Sequence, residues 1–195
     1  MTGHVTLVLG GARSGKSAWA ERHAMESGCS VLYVATATAG DDEMARRIAA
    51  HRAQRPAHWS TVETPRGLLA AIQDAATPGA AVLVDCLTLW VSNELLAAVG
   101  EQDPEHVPPA TWAAVEAALV NEARGLVTLA RERGFALILV SNEVGMGIVP
   151  ASALGRGYRD VLGRVNQAVA SDADAVMLMV AGIAVDLRLL GASRS

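Results

Sequence analysis

At 195 residues, with sixteen basic and twenty acidic side chains and a net charge of −4, the chain can bury a core unaided by disulfides or metals. It lacks the broad positive field that a nucleic-acid backbone demands, so no nucleic-acid partner is expected. The 51% hydrophobic and 4% aromatic content describes an aliphatic core of buried parallel strands, and charges interrupt every apolar run before the ~18 residues of a membrane span.

The opening MTGHVTLVLGG has no basic region before its apolar run and leads straight into a strand, His4 to Leu9. It therefore reads as fold rather than signal peptide, and a cytoplasmic protein is expected. Gly10-Gly11-Ala12-Arg13-Ser14-Gly15-Lys16-Ser17 follows at once and fits G-x-x-x-x-G-K-S/T, a phosphate-binding loop between a strand and a helix. Glycines let successive backbone N–H groups turn inward around phosphates, and the helix N-terminus adds partial positive charge. Lys16 is the residue to neutralise β and γ phosphates of ATP or GTP. Ser17 offers a hard oxygen to Mg²⁺.

Gly28 closes the first helix, and Val31 to Thr36 is the second strand. A second helix is expected from Asp41, then a strand at Ser60 to Glu63, then a helix capped by Thr64 with Pro65 at its first position. The run Ala80 to Val84 is a further strand, ending on Asp85 and followed by a helix from Leu87. Asp85 is read as a carboxylate on the Mg²⁺ side, with a helix N-cap as the alternative. Cys29 and Cys86 each lie beside an apolar run and read as buried reduced thiols.

Gly100 to Pro109 is a polar, Pro-rich loop, and Ala110 to Arg133 a long amphipathic segment. Strands follow at Ala136 to Val140 and Ala175 to Val180, and Ala181-Gly182 marks a terminal hairpin with Ile183 to Leu187. Alternation of strands and helices implies βαβ crossovers and a parallel sheet in one domain, residues 1–195, with an antiparallel strand at the edge. Ligands of such sheets bind at the carboxyl ends of the strands, where Ala35-Thr36-Ala37, Asp85 and Asn142-Glu143 fall. Trp19 and Trp90 read as core or interface residues, and Arg156, Arg159 and Arg164 as a solvated helix face or a phosphate contact.

A phosphate loop alone leaves many functions open. Three constellations narrow them: Asp41-Asp42-Glu43-Met44 with His51-Arg52-Ala53-Gln54-Arg55-Pro56, Trp59 and Glu63; Asp85-Cys86-Leu87-Thr88 with Asn93; and Ser141-Asn142-Glu143-Val144-Gly145-Met146-Gly147-Ile148-Val149-Pro150 with Arg159-Asp160 and Gly163 to Gln167. Together they resemble the bifunctional adenosylcobinamide kinase / adenosylcobinamide-phosphate guanylyltransferase family of cobalamin biosynthesis, from about Thr6 to Val185.

The resemblance implies a RecA-like P-loop fold, a homotrimer and two reactions. ATP or GTP phosphorylates adenosylcobinamide, and GTP then transfers GMP through a guanylylated histidine to give adenosylcobinamide-GDP and pyrophosphate. His51 matches the family's nucleotidyl histidine. His58 and a solvated helix-end histidine are the alternatives, and Ala50 stands where some members carry a second histidine. A neutral imidazole can attack the α-phosphorus, and Arg52 and Arg55 can pair with phosphate oxygens. Glu63 is either a guanine or ribose acceptor, as the family suggests, or a surface carboxylate.

Overall fold

The computed structural model describes residues 3–38, 46, 52 and 55–192. Seven strands form one sheet: β1 (Val5–Gly10), β2 (Val31–Ala35), β3 (Ser60–Glu63), β4 (Ala81–Asp85), β5 (Ala136–Val140), β6 (Ala175–Val180) and β7 (Ile183–Asp186). Their order is β3-β2-β4-β5-β1-β6-β7, and every pairing is parallel except β6 with β7. This is the RecA-like P-loop arrangement with an antiparallel terminal hairpin, as the sequence led us to expect.

Helices among the described residues include α1 (Lys16–Glu26), α2 (Leu68–Ala75), α3 (Leu87–Val99), α4 (Pro109–Arg133), α5 (Ala153–Asp172) and the short α6 (Leu187–Ala192). Strand residues alternate between two cores, as a sheet covered on both faces requires. Val5, Leu7, Val34, Val82, Val84 and Leu139 pack with α2 to α5, around the fully buried Trp90. Val8, Tyr33, Leu83 and Ile138 pack beneath Ala20 and Ala24 of α1 and beside Trp59. Each face uses every second residue, so the long apolar runs of the sequence are strands buried on both sides.

Some details differ from the sequence reading. Thr64 does not cap α2: the helix begins at Leu68 behind Gly67, which has φ 63°. The reason is Glu94 of α3, whose carboxylate accepts the Gly67 N–H at 3.1 Å and pairs with Arg66, holding residues 64–67 as a loop. Cys86, not Asp85, is the N-cap residue of α3. Both cysteines are free, but they are half-buried rather than fully buried. The Gly100–Pro109 loop contains a 3₁₀ turn, Pro104–His106, entered through Asp103, whose side chain accepts the Glu105 N–H. The helix expected from Asp41 lies outside the described residues.

The topology fixes where a ligand can sit. The chain leaves β1 toward β2 on one side, and leaves β5 toward β6 on the other, and β1 and β5 are neighbours. Their carboxyl ends therefore diverge into a crevice between the Gly10 loop and the Ser141 loop.

Candidate active site

The phosphate loop closes tightly on itself. Gly10 has φ 153°, and a Cβ there would lie 2.5 Å from the Met179 carbonyl oxygen and 2.6 Å from Ser14 Oγ, so only glycine fits. Gly15 has φ 96° and serves as the N-cap of α1, which places Lys16 and Ser17 in the first helical turn. Gly11, Ala12 and Arg13 form the exposed rim of the loop. Ser14 Oγ is buried without a hydrogen-bond partner among the described residues.

Lys16 is 8% exposed and donates from Nζ to the Gly11 carbonyl at 2.7 Å, so its charge is folded over the cradle. Burial pushes its pKa below the usual lysine range, while the Asp85 carboxylate pulls it back up. The oxygens of Ser17 and Asp85 are the hard donors Mg²⁺ prefers. Among the described residues no group of three His, Cys, Asp or Glu side chains can hold a metal alone. Such a donor pair fits an ion that takes its remaining ligands from nucleotide phosphates and water.

Asp85 Oδ2 accepts a hydrogen bond from the Tyr33 hydroxyl at 2.9 Å. Burial, then the Asp85 charge, raises the Tyr33 phenol far above its ordinary pKa, so it remains a donor. The guanidinium of Arg55 lies 3.6 Å above the centroid of the same ring, and Trp59 stacks with it at 6.4 Å. Arg52 and Glu63 form an exposed ion pair of 3.1 Å. Asp85, Arg55, Arg52, Glu63, Ala35 and Ala37 line one cleft of about 120 Å³. Burial also raises the Cys86 thiol to about 11, with Asp85 adding to the effect, so this cleft residue is a thiol and not a thiolate nucleophile.

Thr36 lies at the expected edge, but its hydroxyl is engaged. It accepts the Cys86 N–H at 2.8 Å and donates to the Cys86 carbonyl at 2.7 Å. Asn93 donates to the Thr36 carbonyl at 2.9 Å and to that of Pro65 at 3.1 Å. Thr36 and Asn93 thus tie β2 to the start of α3 and hold the cleft wall.

The Ser141–Pro150 loop borders the other side of the crevice. Glu143 N–H donates to the Gly10 carbonyl at 3.1 Å, Asn142 N–H to Thr88 Oγ1 at 2.8 Å, and Asn166 Nδ2 to the Asn142 carbonyl at 3.0 Å. Beyond these anchors Met146 and Ile148 are 83% and 96% exposed. Arg156 is engaged by the carbonyls of Pro150 and Ala151 and by Glu105. Arg159 and Arg164 have no ion pair among the described residues and line a polar groove with Glu116 and Gln167.

His51 lies outside the described residues, as do Asp41 to Met44, Ala50, Ala53 and Gln54. The alternative His58 is exposed beside Trp59. The sequence reading missed Tyr33, whose signal is a lone aromatic in an aliphatic strand two residues before Ala35, and therefore on the same face. It also missed Gly182, whose N–H donates to the Ser14 carbonyl at 2.9 Å.

Residues 6–187 match the family described as cobinamide kinase / cobinamide phosphate guanyltransferase. A "Bifunctional adenosylcobalamin biosynthesis protein CobP" of Pseudomonas aeruginosa is 47% identical over 182 residues, covering 93% of this chain and 96% of that protein. A "Bifunctional adenosylcobalamin biosynthesis protein CobU" of Salmonella typhimurium is 46% identical over the same share of this chain and 98% of its own length. Among solved structures, the RadB recombinase aligns with a TM-score of 0.50 at 16% identity, over 91% of this chain and 74% of that one, a likeness of fold.

Proposed function

The chain belongs to the cobinamide kinase / cobinamide phosphate guanyltransferase family and is therefore a bifunctional kinase and guanylyltransferase of cobalamin biosynthesis; we propose that one nucleotide site at the carboxyl edge of the sheet serves both of its reactions. The observation that carries this is the position of Asp85. It ends β4 at the carboxyl edge of the sheet, between β2 and β5, and its carboxylate lines the cleft of Arg52, Arg55 and Glu63. The phosphate loop and the two arginines thus share one edge of the sheet.

In the first reaction the aminopropanol hydroxyl of adenosylcobinamide attacks the γ-phosphorus of ATP or GTP, and the bond to the bridging oxygen breaks to release the nucleoside diphosphate. Little covalent chemistry falls to the protein, so positioning and charge neutralisation suffice. Lys16 and the amides of residues 10–17 hold the β and γ phosphates. Bound at Ser17 and Asp85, Mg²⁺ supplies further neutralisation of phosphate charge.

In the second reaction the imidazole of His51 attacks the α-phosphorus of GTP, and pyrophosphate leaves. Arg52 and Arg55 neutralise the phosphate oxygens, and Glu63 accepts from guanine or ribose. A phosphate oxygen of adenosylcobinamide phosphate then displaces the imidazole, giving adenosylcobinamide-GDP and restoring His51. We extend the reading to a homotrimer, on the family resemblance; sedimentation equilibrium checks it, with three chains of 20.2 kDa expected per particle.

The test is a time course with adenosylcobinamide and GTP labelled at either end. The γ label enters the corrinoid first and the α label later. Entry of the α label without prior phosphorylation contradicts the proposed order.

A further inference from the structure

Resting on the reading that Asp85 and Arg55 serve the nucleotide, we propose that Tyr33 is a positioning residue shared by both reactions, its ring holding Arg55 and its hydroxyl holding Asp85. The sheet register makes this possible. In the parallel β2–β4 pair Ala35 stands opposite Asp85 and Tyr33 opposite Leu83, so Tyr33 and Asp85 are diagonal neighbours on the α1 face. Only a long side chain spans that diagonal, and the phenol does so with its hydroxyl 2.9 Å from Oδ2.

Tyr33 is itself immobile: it is 1% exposed and packed beside Trp59. A buried donor at a fixed place selects one rotamer of the carboxylate it bonds. Arg55 is held differently. Its Nε is buried with no hydrogen-bond partner among the described residues, while its guanidinium carbon lies 3.6 Å above the Tyr33 ring. The aromatic face orients the cation without occupying its N–H donors, which are left to phosphate oxygens. One rigid side chain therefore sets two groups of one cleft.

Two substitutions separate the arms. Tyr33→Phe keeps the ring and removes the hydroxyl; Tyr33→Leu removes both. GTP binding is measured by calorimetry in EDTA and across an Mg²⁺ titration. In EDTA the Phe variant binds GTP as the parent does, and the Leu variant binds about fivefold more weakly, the scale of a lost cation–π contact. In the titration both variants need about tenfold more Mg²⁺ for half of the metal-dependent gain, the scale of a hydrogen bond to a charged group. Equal EDTA affinities for the Phe and Leu variants overturn the ring's role. A parental Mg²⁺ requirement in Tyr33→Phe, with that of Asp85→Asn shifted, overturns the hydroxyl's role. If Asp85→Asn itself leaves the requirement unchanged, the fault lies in the underlying reading of Asp85.

Discussion

Gly182, in the turn between β6 and β7, donates its N–H to the carbonyl of Ser14 across 2.9 Å, so the terminal hairpin backs the phosphate loop from outside. A Cβ on Gly15 would lie 3.3 Å from the Gly182 Cα, and the Met179 carbonyl abuts Gly10. The loop is therefore held by the edge of the sheet as well as by β1 and α1.

That contact predicts a contrast between adjacent glycines. Gly10→Ala forces its Cβ onto the Met179 backbone and should cost more than about 1 kcal/mol of stability, the scale of local backbone strain. Gly11→Ala has nothing within 4 Å of its new methyl group, and should stay within about 0.5 kcal/mol of the parent. Urea unfolding of the two variants measures both.

Lys16→Ala should leave the fold intact and remove phosphoryl transfer. Its Nζ donates to the carbonyl of Gly11 within the loop itself, so the bond that is lost joins no two elements of the sheet. The loss in turnover should be at least about 10²-fold, the scale of a deleted charge at a transition state. Transfer of γ label from GTP to cobinamide is the readout, with circular dichroism as the check on folding.

Asp85→Asn keeps the shape of the side chain that Tyr33 holds and removes its charge. The kinase step should slow by about 10²-fold, and the Mg²⁺ concentration for half-maximal rate should rise. A rate and metal titration matching the parent would leave Asp85 as no more than a partner for Tyr33.

Asn166 is 5% exposed and secures the Ser141–Pro150 loop through the Asn142 carbonyl. Asn166→Ala leaves that carbonyl unpaired at a cost of about 1–3 kcal/mol. Amide hydrogen exchange should therefore quicken across residues 142–150 more than across β1. Equal change in both segments would make Asn166 a general core residue instead.

Much of this was legible in the chain. The phosphate loop announces itself because its glycines, Lys16 and Ser17 are each required by local geometry, and the strands because β-branched runs alternate with helical ones. The place of Asp85, at the end of an apolar strand, was readable as well. What stayed hidden depends on pairing across the sheet. The bond from Tyr33 to Asp85 exists only because β2 lies beside β4 in one register, and nothing local in VLYVA reveals it. Glu94 displaced the expected Thr64 cap for the same reason, reaching Gly67 from 27 residues away. Of the core and interface alternatives for Trp90 the structure shows core, whereas the two thiols proved less buried than their apolar neighbours suggested.

A covalent intermediate at His51 sets the second reaction apart from the first, because the kinase chemistry of Lys16 and Asp85 does not need one. His51→Ala should abolish covalent labelling by α-labelled GTP while phosphorylation of cobinamide continues at a reduced rate, since neither the guanidinium of Arg52 nor Ala50 offers a nucleophile. The most direct measurement is mass spectrometry of the wild-type chain after GTP treatment, digested and mapped by peptide. The account predicts a GMP adduct on the peptide that contains His51. An adduct on the peptide that contains His58, or no adduct while guanylyl transfer proceeds, contradicts it.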